Sequence, residues 1–288
     1  MKKSHKIVQK AKYVLSLCLV FLLSGSCSNI LAQSAFVTDD SLLVSAQIAM
    51  NKKDFTTALT SFNLMSAAYL AQRNVIALKA AAYAGRCGLD FIGLVNTFSS
   101  IGSSTVLTVL YKSAISAKPA QETDCVSAET LMLSIAATSA ARTVSENLLL
   151  GLIEFQRIGA ILGQYAEQGG TGTVDAAFNP CLTTKGTAPA ATGLPVAEAQ
   201  NLSASLMIGF DSLSASGISA FSGSAASFQS YCTSITAIAG SNPCTQTAPS
   251  SFTNPQLAIL MGLVKTNFFG IGSCADNTLA TCVCGVYP

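Results

Sequence analysis

Residues 54–62 read Asp54-Phe55-Thr56-Thr57-Ala58-Leu59-Thr60-Ser61-Phe62, and Asp90, Phe91 and Phe98 recur 36 positions later. The same offset pairs Leu42 with Leu78 and Ala46 with Ala82. Self-similarity at this period marks stacked helical hairpins. Each copy predicts one helix, a tight turn ahead of Asp-Phe, and a second helix. Ala46 and Ala82 then stand where paired helices approach closely, and Phe55, Phe62, Phe91 and Phe98 fill the space between neighbouring pairs. The chain is expected to be all-α.

Further helices can be read from their ends. Asp39-Asp40 is placed to cap the first helix, and Asp124 or Ser127 to cap one running to about Ala141. Thr143-Val144-Ser145-Glu146 has capping-box spacing. It stands ahead of Leu148, Leu149, Leu152, Phe155 and Ile158, an apolar stripe at helical spacing. Pro195 opens a helix carrying Leu202, Leu206, Met207 and Phe210. Asn254-Pro255 reads as a cap followed by proline in the first turn. The expected organisation is a leader over 1–26, a tether over 27–40, a helical region over 41–167, a loop over 168–194 and a helical region with a cysteine-rich cap over 195–288.

The segment from Asp54 to Phe62 resembles the second half of a tetratricopeptide repeat, with its small-to-aromatic spacing at Ala58 and Phe62. The resemblance covers about residues 41–105 and departs from the pattern at Leu42, Ala49, Leu70 and Leu94. It implies antiparallel helix pairs with a concave face that takes a peptide or a partner protein. A plain pair of similar α-hairpins stays open beside it.

The amino end has the build of an export signal. Lys2, Lys3, Lys6, Lys10 and Lys12 precede an apolar run from Tyr13 to Leu23. That run is too short for a comfortable membrane span. The following Leu22-Leu23-Ser24-Gly25-Ser26-Cys27-Ser28 resembles the bacterial lipobox, in which a cysteine after small residues receives diacylglycerol. Leu23 stands one place earlier than the leucine of that pattern. The resemblance implies a lipid on Cys27 and, because Ser28 and Asn29 carry no aspartate retention signal, an outer-membrane lipoprotein facing the periplasm. The alternative is a signal cleaved near Ala32-Gln33-Ser34, giving a periplasmic or secreted chain.

Apart from Cys18 and Cys27, eight cysteines remain: Cys87, Cys125, Cys181, Cys232, Cys244, Cys274, Cys282 and Cys284. An even set in an exported chain is read as disulfides, whose connectivity the sequence leaves open. Short loops joining Cys232 to Cys244, and Cys274 to Cys282 or Cys284, cost least. Cys282-Val283-Cys284 lacks the spacing of redox or zinc motifs.

Composition excludes several chemistries. Only 10% of the chain is charged, against about 25% in ordinary soluble domains. Without the five leader lysines, 11 basic residues face 14 acidic ones, so no basic surface exists for nucleic acid. His5 is the one histidine and lies in the leader, which removes imidazole-based nucleophile pairs and metal sites from the mature chain. No cofactor, metal or catalytic residue is expected. The reading that follows is a non-catalytic envelope lipoprotein that binds a protein or peptide through a helical surface. A helical carrier of a hydrophobic ligand and a carboxylate-dependent envelope enzyme are the alternatives.

Overall fold

The structure is a computed structural model that describes residues 37–90, 92–94, 107–108, 122–167, 173–184, 186, 192–217, 219–267, 269–272, 274, 279–285 and 287. Cys27, Phe91 and Phe98 lie outside the described residues. The fold is all-α, with no strand among the described residues. Beside short helical stretches at 92–94 and 107–108, the α-helices are α1 (Asp39–Asn51), α2 (Phe55–Asn63), α3 (Ala67–Leu70), α4 (Arg73–Arg86), α5 (Glu122–Ile135), α6 (Val144–Ala166), α7 (Val196–Ser216), α8 (Ser219–Ala239), α9 (Asn254–Lys265) and α10 (Leu279–Cys282).

The offset of 36 is visible where the second helix of each copy begins. Asp54 Oδ1 accepts from the Thr57 backbone N–H at 3.1 Å. Asp90 Oδ1 accepts from the Gly93 N–H at 3.3 Å. Each caps a helix start whose first amides have no partner within the helix. The preceding helices also close alike. Lys53 (φ 58°) and Gly88 (φ 105°) take positive φ. Asp54 N–H then reaches Ala49 O, and Leu89 N–H reaches Ala84 O, both at 2.9 Å. This left-handed closure satisfies the last carbonyls of each helix.

Packing runs from each hairpin to the next. Leu42, Ala46, Ala58, Leu59 and Phe62 form one core with Val75 and Ala82 of α4. Ala80 and Ala84, also on α4, face a second core with Ala128 and Met132 of α5 and Leu150 and Ile153 of α6. Alanine leaves α4 slim enough to be covered on two sides while keeping a high helix propensity. Ala46 and Ala82 are fully buried where α1, α2 and α4 meet.

α6 is the axis of the molecule. Leu150, Leu152, Ile153, Phe155, Ile158, Ile161 and Leu162 are all fully buried. Each such side chain contributes roughly 1.5–3 kcal/mol on leaving water. The α6–α7 crossing is close because two glycines meet it. A Cβ on Gly151 would lie 2.7 Å from Leu213, and one on Gly209 would lie 3.2 Å from the Glu154 Cβ. Beyond the crossing, Phe210 stacks on Phe228 at 4.2 Å and meets Phe155 edge-on at 5.1 Å.

Several helix ends differ from expectation. Thr38, not Asp39-Asp40, caps α1, its hydroxyl accepting from Ser41 N–H. The two aspartates lie in the first turn and turn toward the next segment. Asp39 accepts from Ser66 N and Oγ at 2.8 and 2.6 Å, and Asp40 from Tyr69 Oη at 2.6 Å. Neither Asp124 nor Ser127 caps α5, which begins at Glu122 and ends at Ile135; a separate 3-10 turn occupies Ser139–Ala141. Asp124 instead accepts from Arg86 Nε and Nη2 at 2.7 and 2.6 Å. Asn254 is already helical, and Thr253 precedes it, donating its N–H to Gln256 Oε1 at 2.9 Å. The expected box at Thr143 and Glu146 is present, with both hydrogen bonds formed.

The eight cysteines from Cys87 onward are all bridged: Cys87–Cys125, Cys181–Cys284, Cys232–Cys244 and Cys274–Cys282. Four disulfides are what an oxidising, non-cytoplasmic compartment forms and preserves. Among the described residues, no helix is long and apolar enough to cross a membrane.

Candidate functional site

Charge is scarce in this chain, so the places where it gathers stand out. The main gathering is inside the fold, among α5, α6 and α7. Arg157 of α6, 4% exposed, donates from Nη1 to Glu129 Oε2 of α5 at 2.6 Å. Its Nε lies 3.6 Å from Glu122 Oε1, an ion pair without a hydrogen bond. Glu122 and Glu129 are seven residues apart on α5, and Glu154 and Arg157 three apart on α6. Helical periodicity thus presents each pair on one face.

Glu154 completes the cluster and is its most enclosed member. It has no exposed surface, and neither carboxyl oxygen makes a hydrogen bond. The neighbouring Ser205 hydroxyl of α7 is also without a hydrogen-bond partner. Burial, and next the charge of Glu129, push the Glu154 carboxyl well above the ordinary carboxylate range, against the opposing pull of Arg157. Burial raises Glu122 and Glu129 as well, with Glu198 adding to the rise at Glu122. One guanidinium cannot balance this many carboxylates, so the innermost carboxyl holds its proton more tightly than an exposed glutamate does. A carboxyl raised in this way is one mark of functional sites, and structural networks show it too.

Two more ion pairs join the stacked helices. Arg73 of α4 grips Glu146 of α6 with two hydrogen bonds of 2.6 Å, holding the Glu146 carboxyl down to about 2. Arg86 and Asp124 join α4 to α5 beside the Cys87–Cys125 bridge. These contacts are structural in kind, one tying α4 to α6 and the other tying α4 to α5. No group of three or more potential metal ligands occurs among the described residues.

The surface offers apolar side chains instead. Val37, Val44 and Ile48 on and before α1 are 69%, 54% and 50% exposed, and Leu64 after α2 is 66% exposed. Ile92, five residues beyond Cys87, is 70% exposed, and Val126, next to Cys125, is also exposed. Phe62 is buried in the first hairpin. The half-buried Phe55 reaches past α2 to lie against Gly85 of α4. The sequence reading did not find the Glu154–Arg157 cluster, although two ionic pairs at helical spacing in so neutral a chain were its signal.

The fold and these sites define a disulfide-stapled all-α protein built around an enclosed carboxylate–arginine cluster. Compared with known proteins, the chain matches no family model, no curated sequence and no solved structure.

Proposed function

We propose that this chain is a lipid-anchored protein of the bacterial cell envelope, acting without chemistry of its own as a docking scaffold for a protein or peptide. The anchor is placed on Cys27, and the docking surface on the tetratricopeptide-like array formed by α1 to α5. The observation that carries the docking reading is the pair of exposed apolar side chains flanking the Cys87–Cys125 staple, Ile92 and Val126. A rigid, charge-poor surface with isolated apolar anchors suits recognition through a few buried contacts. The four bridges agree with an oxidising address.

The enzyme alternative rests on Glu154, whose raised proton affinity would suit a general acid. Glu154 has no exposed surface, so a substrate could touch it only after α5, α6 and α7 had separated.

Two experiments test the reading. A radiolabelled fatty acid should mark the wild type and not Cys27→Ala; label persisting in the variant rules out Cys27 as acceptor. A photocrosslinking side chain at position 92, used in cells, should yield a discrete protein adduct that a second one at position 238 does not. If position 92 gives no adduct or the same ones as position 238, the docking reading fails.

A further inference from the structure

The solvent face of α1 is unusual for a chain whose other large apolar side chains mostly pack inside. Val44 and Ile48 stand four residues apart on one face of α1, and the exposed Val37 lies just ahead of its cap, Thr38. Lys52, the next position on that face, and Lys53 are exposed at its far end. Leu64 sits at the near end, since Ser66 two residues later bonds Asp39 in the first turn of α1. The acidic groups of that turn are occupied, Asp39 by Ser66 and Asp40 by Tyr69. At the end of the hairpin nearest the amino terminus the exposed apolar side chains thus stand beside two hydrogen-bonded carboxylates, and lysines border the opposite end.

What precedes this face matters. Only nine residues separate Cys27 from Val37, a reach of at most about 35 Å when fully extended. The intervening 28–36 carry no charge and include Ile30, Leu31 and Phe36. A short apolar link to an acyl chain holds the α1 face beside the bilayer at high effective concentration. Apolar residues on one helical face with lysines at its border are suited to the headgroup boundary. We infer that α1 lies on the lipid surface bearing the anchor, with Val37, Val44, Ile48 and Leu64 against the headgroup region and Lys52 and Lys53 at its edge. This rests on the lipid-anchor reading and adds an orientation to it: the first hairpin faces the membrane, and the Ile92 side is left for a partner.

The absence of tryptophan from the chain makes the test clean. V44W, I48W and, as a control on the exposed side of α8, I238W are each made in the full chain as cells produce it. Each is mixed with phosphatidylethanolamine–phosphatidylglycerol vesicles with or without brominated acyl chains. Emission from V44W and I48W should shift to the blue and be quenched by the brominated lipid, while I238W does neither. If all three behave like I238W although mass spectrometry shows acyl chains on Cys27, the orientation is wrong and the anchor stands. If Cys27 carries no acyl group, the anchor reading fails on its own. Quenching at 44 and 48 would then still support the α1 face, and its absence would overturn it. A photocrosslinker at position 48 that captures a protein, or a second copy of this chain, in place of lipid also overturns it.

Discussion

The ring of Phe55 on α2 occupies the space that a Cβ on Gly85 of α4 would need. This contact lies at the junction where the first hairpin sits on the helix that follows, and it explains a glycine near the end of an otherwise alanine-rich helix.

Gly85→Ala should therefore destabilise the protein although alanine favours helix. Overpacking costs about 1–3 kcal/mol, more than the roughly 1 kcal/mol gained in propensity. The urea midpoint of unfolding should fall, and Phe55→Leu should recover part of the loss in the double variant. Strict additivity of the two changes would show that they do not meet.

Glu154 gives a prediction about pH. Its folded-state affinity for the proton is raised, by burial first and then by Glu129. The stabilisation from such a group is fully present below the unfolded carboxylate value of about 4.3 and is lost as pH rises through the folded value. Glu154→Gln mimics the protonated acid, so it should match the wild type near pH 4 and exceed it by a growing margin as pH rises through the folded value. Melting temperatures across that range provide the check; two parallel curves would mean that the carboxyl is not holding its proton. Glu146 has the opposite sign. Arg73 first of all lowers it to about 2, so its contribution is present above the unfolded value and fades as pH falls toward 2.

Arg157 should be the most sensitive charged residue in the chain. Replacing it by methionine leaves Glu122 and Glu129 partly buried without their cation, and such a loss typically costs about 3–5 kcal/mol. Arg73→Met, at a guanidinium that is half exposed, should cost much less. Chemical denaturation of the two variants side by side decides it, and equal losses would remove the special place given to the cluster.

The bridges should differ in worth. Cys181–Cys284 spans 103 residues and Cys274–Cys282 spans 8. Loop-closure entropy favours the longer by about 2 kcal/mol. The double serine variant of the first pair should lose more stability than that of the second. Peptide mapping of the unreduced protein should recover the four pairs, with no free thiol among these eight cysteines.

How far the sequence could be read depended on the range of the interaction. Local features came through: the Thr143–Glu146 box, the Pro195 helix start and the short Cys232–Cys244 loop are all set within a few residues. Caps drifted by a position or two where several candidates stood together, as with Thr38 beside Asp39-Asp40 and Thr253 beside Asn254. Asp124 looked like a cap because aspartate favours helix starts, and only the folded chain brings Arg86 to it. The Cys181–Cys284 pair and the meeting of Glu129 with Arg157 depend on which helices become neighbours, and no spacing along the chain encodes that.

The order of the bridges has a consequence for biogenesis. Cys181 is joined to the last cysteine of the chain, and two complete pairs, 232–244 and 274–282, lie between. A chain oxidised as it is threaded out amino end first would offer Cys181 the wrong mate, Cys232, long before Cys284 arrives. A catalyst that only oxidises would trap that mistake, so on such a route the native pairing calls for an enzyme that reshuffles sulfurs as well.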